Sequence, residues 1–464
     1  MKKRSVAANA AVLAMSGIAA KLFDFGFRAY YSRRLGTEGV GLLSLGFSLH
    51  GVLLTVSTAG LGVAVSKVVS EYAEIKNVGA VRECMRIAVG TVLFLSLPII
   101  LLIFAFSDGV ALRVLGDERV SVCLCALVPS VLFMGVSYCL KGYFYAQRKA
   151  LPPASSEIVE QIIKFAAIKT LTDIFLPLGT EAGCAAVFAG ISLGELGSCA
   201  YLIFFYILEE RRDFGLSKLN NVKEEVRRKE IVCRILSVSI PSMMTSLFCS
   251  VFRTKEEVMV VSELERGGRG HSEALAALGT VYGMAMPLLV LPLNLMGSVL
   301  SLLVPEISRA SVCGEFRLKR VTYKIYKFGI AAGLSVSAFF ILFGEKVSIM
   351  FYNSLAAAEM TICMAPLCVI MFIDSFSSSI LNGLGKQCRL FIFSAADFAL
   401  RFTLIHILIP RGGINAFPAV IAASNIFTAV LSFTNAVKIV CGGAKILPRK
   451  LTKSNKYGIL KGRN

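Results

Sequence analysis

The sequence predicts an all-α integral membrane protein of about twelve transmembrane helices, in two pseudo-symmetric six-helix lobes around a central cavity. Three observations carry this. Of 464 residues, 56% are hydrophobic and only 17% charged, with a mean hydropathy of +0.71, far from an ordinary soluble domain. Apolar windows of about 19 residues recur along the whole chain. Landmarks of the first half also return in the second, displaced by about 240 residues.

The N-terminus, MKKRSVAANAAVLAMSG, resembles a signal peptide, but its apolar run continues past the usual length and is read as a retained first span at 8–31. Lys21, Asp24 and Arg28 interrupt it. All three facing lipid would cost about 8 kcal/mol, and their spacing of three and four residues puts them on one stripe of a helix. That stripe either lines a wet cavity at membrane depth or forms a neutral network that locks helices together. Further spans follow at 42–66, 86–107, 119–141, 155–177, 183–208, 232–252, 276–304, 321–344, 358–382, 390–410 and 413–438. The eighth carries Pro287 and Pro292, with Pro305 just beyond, so kinks and freed carbonyls are expected, pointing it toward the cavity.

Alternate loops are strongly basic, with roughly a threefold excess of Lys and Arg over the loops between them. The positive-inside rule then places both termini, and the run RRDFGLSKLNNVKEEVRRK, in the cytoplasm. The net charge of +19 follows from topology and attraction to anionic membrane lipids, and nucleic-acid binding need not be invoked.

The longest cytoplasmic loop lies near the middle of the chain, giving an N-terminal six-helix lobe at 1–208, a basic linker at 209–231, a C-terminal six-helix lobe at 232–440 and a basic tail at 441–464. Val65-Ser66-Lys67 returns as Ile307-Ser308-Arg309, Leu140-Lys141-Gly142 as Leu381-Asn382-Gly383, and the pair Glu160 and Lys164 as Asp397 and Arg401. With even numbers of spans the halves share one orientation, and a substrate site is expected at their interface.

The i, i+4 pairs Glu160–Lys164 and Asp397–Arg401 serve either substrate binding or mutual neutralisation. Glu195 in SLGELGS and Asp374 in MFIDSFSSS, flanked by small residues, are either protonation sites or hydrogen-bonded helix contacts. The thirteen cysteines show no paired CxxC spacing, and neither a disulfide framework nor a zinc site is expected. No phosphate loop or HExxH motif occurs, His50, His271 and His406 form no recognisable constellation, and GGRG at Arg269 reads as an external turn. The expectation is a transporter, not an enzyme, without metal or cofactor.

The runs AKLFDFGFRAYYSRRLGTEGVGLLSL, STAGLGVAVSKVVSEYAE, KGYFYAQRKALPPASSEIVEQIIK, SLGELGS and LGTVYGMAMPLLVLPLNLMGSVLSLLVPEIS resemble the stage V sporulation protein B group of polysaccharide-biosynthesis membrane proteins. That group lies within the multidrug/oligosaccharidyl-lipid/polysaccharide exporter superfamily, which also holds the lipid II flippases. The resemblance implies a central cationic cavity open alternately to either side of the bacterial cytoplasmic membrane. It also implies outward movement of an undecaprenyl-pyrophosphate-linked saccharide, and the leading expectation for this chain is a peptidoglycan precursor. Two basic residues seven apart in the first helix meet the pyrophosphate in that pattern, matching Lys21 and Arg28. The seventh helix departs from it, reading VFRTKEEVMV where many relatives carry a lone acidic residue. The sequence ends after the twelfth span, where some relatives add a C-terminal pair.

A pyrophosphate needs fixed cations, and Lys21, Arg28, Lys164, Arg253 and Arg401 lie in or near spans. Two alternatives stay open. One is a cation-coupled multidrug exporter relying on Asp24, Glu195 and Asp374; the other is a scaffold for envelope-synthesis proteins docked on the basic loops.

Overall fold

A computed structural model describes residues 3–74, 77–217 and 228–441. The expected tail, Lys2 and the middle of the linker lie outside the described residues. Among the described residues the ordered elements are helices only. They are α1 (Lys3–Thr58), α2 (Leu61–Glu74), α3 (Val78–Val110), α4 (Val120–Leu127), α5 (Pro129–Ala146), α6 (Leu151–Phe175), α7 (Thr180–Ser217) and α8 (Arg228–Arg266). There follow α9 (His271–Leu278), α10 (Met286–Leu295), α11 (Gly297–Cys313), α12 (Glu315–Tyr352), α13 (Leu355–Met364), α14 (Leu367–Gly383), α15 (Gln387–Gly412) and α16 (Phe417–Cys441). A chain that must satisfy every backbone polar group internally has helices as its natural solution in lipid.

Among the described residues eight helical stretches are long and apolar enough to cross a bilayer, or nine if Leu355–Met364 and Leu367–Gly383 form one crossing. Met15–Glu74, with 60 residues, and Gln387–Cys441, with 55, each have room for two crossings. Helix α6 fails the hydropathy test through its own charges, yet its 25 residues pack along α7. Counted this way, the helices accommodate the expected twelve spans.

Local chemistry sets the breaks. Helix α1 runs through both expected first spans and is kinked at Gly36, whose φ of 70° and ψ of −176° a side-chain-bearing residue rarely adopts. Asn77 caps α3 by accepting the Ala80 amide at 2.9 Å, and prolines sit in the first turns of α5 and α6, where a missing N–H costs nothing. The proline-rich eighth span follows the expectation of irregularity: π-helical turns occupy Gly279–Ala285 before α10, and a break at Met296 separates α10 from α11.

The chain divides into two compact units. The first comprises Met1–Leu291, Gly344–Ile362 and Phe402–Phe417; the second comprises Pro292–Phe343, Cys363–Arg401 and Pro418–Asn464. Within the first, α2, α3 and α5 bury Leu61, Val65, Val68, Ala88, Cys139 and Phe144 against one another. Within the second, Ile307, Tyr326, Phe372, Phe376 and Ile380 form the core. Phe94, Leu101 and Leu342 stand exposed on long apolar helices, as lipid-facing side chains do.

The repeated landmarks meet one another within each unit. In the first, a Cβ on Gly142 of α5 would lie 2.6 Å from the Gly62 carbonyl oxygen of α2; in the second, one on Gly383 of α14 would lie 2.9 Å from the Val304 carbonyl oxygen of α11. The same two-helix contact is thus built twice from corresponding sequence. Cys84, Cys123, Cys139, Cys184 and Cys199 are free and buried, acting as small packing residues.

Candidate functional site

In the first unit α1, α5, α6 and α7 line an open cavity of about 360 Å³. Its wall includes Lys21 and Asp24 from α1, Tyr138 and Lys141 from α5, Glu157, Glu160 and Gln161 from α6, and Glu195 from α7. The polar positions of α6 recur at intervals of three and four, so one face of that helix carries Glu157, Glu160, Gln161 and Lys164.

Lys164 is the electrostatic centre. Its ammonium lies 2.9 Å from Glu160 Oε1 and 3.6 Å from Asp24 Oδ1, joining α6 to α1. Gln161 Nε2 donates to the same Asp24 oxygen at 3.2 Å. Lys141 lies 3.6 Å from Glu157 across α5 and α6. The buried Glu195 faces Glu160 and Lys164 from α7. Lys21 makes no ion pair or hydrogen bond among the described residues and presents an unpaired ammonium to the cavity.

Arg28 lies outside this cavity wall. Its guanidinium sits 5.8 Å from the centroid of the Phe47 ring, with Tyr31, Tyr352, Asp24 and Glu257 in electrostatic reach, and it forms no ion pair among the described residues. The expected stripe is therefore divided: Lys21 and Asp24 line the cavity, while Arg28 occupies an aromatic setting further along α1. Arg253 bonds Glu257 Oε1 at 3.2 Å on α8, leaving the buried Glu257 Oε2 without a partner. The Glu160–Lys164 pair is a formed ion pair, the mutual neutralisation its spacing allows, and Glu160 also lines the cavity.

In the second unit Arg401 Nη2 meets Asp397 Oδ2 at 2.9 Å. Ser424 of α16 donates to the other oxygen of Asp397 and accepts from Arg401 at 2.8 Å. Asp374 on α14 is partly buried, with Oδ1 unpartnered. Among the described residues no group of three or more His, Cys, Asp or Glu is placed to hold a metal ion.

Sequence reading passed over Gln161, Tyr138, Lys141 and Glu157 as site residues. The period of α6 was the available signal for Glu157 and Gln161, whereas Tyr138 and Lys141 join them only through helix packing.

A second, larger groove of about 830 Å³ adjoins the cavity and shares Tyr138, Lys141 and Glu157 with it. Val63, Tyr145 and Lys67 also line it, Lys67 without an ion pair among the described residues. A membrane helix bundle with a charged cavity opening beside a largely apolar groove is suited to an amphiphile.

The family described as "Polysaccharide biosynthesis protein" matches residues 6–311. The chain belongs to that family. It is 26% identical over 426 residues to stage V sporulation protein B of Bacillus subtilis (strain 168), covering 91% of this chain and 81% of that protein. It is 19% identical over 398 residues to the lipid II flippase MurJ of the same organism, covering 81% of this chain and 72% of that one. Its fold is similar to an inward-facing multidrug resistance MATE family transporter of the MOP superfamily, with a TM-score of 0.71, 15% identity, and coverage of 92% of this chain and 98% of that one. A MOP superfamily transporter from Pyrococcus furiosus aligns with a TM-score of 0.63 and 16% identity over 95% and 96% of the two chains. The protein is therefore a multi-pass membrane protein with the fold of MOP-superfamily transporters.

Proposed function

We propose that this protein is a flippase that carries an undecaprenyl-pyrophosphate-linked saccharide, a peptidoglycan precursor, from the inner to the outer leaflet of the bacterial cytoplasmic membrane by alternating access. The observation that carries this reading is the pair of unpaired cations on α1: Lys21 in the cavity and Arg28 against Phe47. Fixed cations that make no ion pair or hydrogen bond among the described residues are costly inside a bilayer unless an anion arrives to meet them. Family membership and likeness to a lipid II flippase support the same cargo. In this reading both termini and the 209–231 linker are cytoplasmic, and two six-helix lobes at 1–208 and 232–440 alternate. Lys164 with Glu160, Arg253, and Arg401 with Asp397 support the substrate's path. The basic loops face anionic lipid and envelope-synthesis proteins.

The test is flipping of a defined lipid-linked saccharide in proteoliposomes. Losing one charge-assisted contact costs about 1.5–3 kcal/mol, so Arg28→Ala lowers the rate at least about tenfold with normal membrane expression. Arg28→Lys is also impaired, because a point charge does not reproduce a bidentate fork. Undiminished flipping by the Lys21→Ala/Arg28→Ala double variant overturns the assignment. Export of a cationic drug without lipid flipping replaces it with the exporter.

A further inference from the structure

Beyond the kink at Gly36, glycines seat α1 directly against α9 and the π-helical turns that follow it. A Cβ added to Gly41 would lie 2.1 Å from the Leu275 carbonyl oxygen, and one added to Gly279 would lie 2.0 Å from that of Thr37. The two backbones therefore meet with no side chain between them, and Val40 and Leu275 are buried there. His271 closes the end of this seam. Its Nε2 faces Asp117 Oδ2 at 2.8 Å, and its Nδ1 faces Glu265 at the end of α8. Ionised carboxylates only accept, so the ring satisfies both at once only as imidazolium, with a proton on each nitrogen. Turning the ring over changes nothing, because a nitrogen still meets each carboxylate. Around it stand Arg119, which holds Asp117 and Glu38 of α1, the mutually paired Arg269 and Glu273, and Ser272, which meets Glu38.

On the flippase reading α1 and α9 belong to opposite lobes and this end of the seam faces outward, so alternating access parts it once in each cycle. In this structure all of these residues lie in one compact unit. Resting on the alternating access of that reading and on no particular cargo, we propose that His271 is a proton-operated clasp of the outer gate. Protonated, it bridges α9 to the turn before α4 and holds the seam shut. Neutral, it keeps a single N–H, so one carboxylate faces a lone pair. Either the bridge to Asp117 or the Glu265 brace that aims it is then lost. The imidazole is 37% exposed, so external protons reach it. Of the side-chain types gathered here, carboxylate, guanidinium and imidazole, only imidazole ordinarily changes charge between about pH 5 and 8. Acid outside therefore locks the gate, and alkali frees it.

Right-side-out membrane vesicles, with the exposed native cysteines replaced, report the gate through Thr280→Cys, a position 5% exposed in the π-helical turns of the seam. An impermeant maleimide is applied outside, and each rate is divided by that of Leu178→Cys, exposed at the turn between α6 and α7. Raising the external pH from about 6 to about 8.5 speeds the relative labelling at least about fivefold. His271→Arg, charged throughout this range, labels slowly at every pH, and His271→Gln, which brings no charge, labels fast at every pH. Labelling of the parent protein that ignores pH, or a pH response that survives in both variants, overturns the clasp. Flipping of a lipid-linked saccharide in proteoliposomes separates the two readings. A pH-gated label without lipid transport keeps the clasp and rejects the flippase; transport with a pH-indifferent label rejects the clasp alone; absence of both rejects both.

Discussion

His271 Nε2 stands 2.8 Å from Asp117 Oδ2, tying the first residue of α9 to the turn that precedes α4. The other contacts of Asp117 come from Arg119, whose Nη2 meets Oδ2 at 2.9 Å and whose backbone amide meets Oδ1 at 2.9 Å. Arg119 Nη1 continues to Glu38 of α1 at 2.8 Å. Three separate helices are thus joined through one buried carboxylate at a helix-end turn.

That carboxylate gives a pH prediction. Burial alone pushes the Asp117 carboxyl upward, but hydrogen bonds from Arg119 and His271 outweigh it and hold the group below its ordinary value of 3.8. A depressed folded value means the stabilisation is complete above the unfolded value and is lost as the pH falls through the folded one. Thermal melting in detergent, followed from neutral pH to below about 4, shows an acid limb that Asp117→Asn flattens. At neutral pH the same substitution lowers stability by about 1–3 kcal/mol.

Lys164→Met removes the cation shared by Glu160 and Asp24 and strands a buried carboxylate, costing about 3–5 kcal/mol. The Lys164→Met/Glu160→Gln double variant recovers part of this. Arg401→Met behaves alike in the second unit, where Asp397 keeps the Ser424 hydroxyl but loses the guanidinium. Melting temperatures of the purified variants check the ordering, and equal stability of single and double variants contradicts it.

Gly142→Ala and Gly383→Ala each force a Cβ to within 3 Å of a neighbouring helix backbone, at 2.6 Å and 2.9 Å. Each destabilises by about 1–3 kcal/mol, the Gly142 variant more. Parallel losses at both positions support the internal duplication; a neutral effect at both removes its structural basis.

Topology is checked by cysteine accessibility after replacement of reactive native cysteines, including the exposed Cys233, Cys249, Cys363, Cys388 and Cys441. Arg269→Cys reacts with an impermeant maleimide from outside, while Lys218→Cys and Lys456→Cys react only after permeabilisation. Outside labelling at position 218 defeats the six-plus-six scheme.

Periodicity made much of this legible. Charges in α1, the i, i+4 pairs of α6 and α15 and the repeated landmarks all follow from spacing along one helix, which sequence records directly. The kink at Gly36 was hidden because a glycine inside a continuous apolar run leaves hydropathy unchanged. Gln161 was passed over because an orphaned acceptor is defined by what fails to reach it across three other helices. His271 fits no motif, since its partners Asp117 and Glu265 come from two separate stretches of chain.

The mutual pairing of cavity charges also fixes who performs electrical work. Lys141 with Glu157, and Lys164 with Glu160 and Asp24, are paired within one unit, so these pairs add little net gating charge when that unit moves as a body, whereas Lys21 and Arg28 travel as charge that an anionic cargo can neutralise. On the flippase reading, whatever charge of the cargo these two cations leave uncompensated makes the current of a turnover. Each uncompensated negative charge driven outward gains about 2.3 kcal/mol per 100 mV, so a dianionic linker converts the resting potential directly into directional bias. Clamping the potential with valinomycin, with no sodium or proton gradient present, reads this as a voltage-dependent flipping rate, and a rate indifferent to voltage assigns the driving force to a co-transported ion.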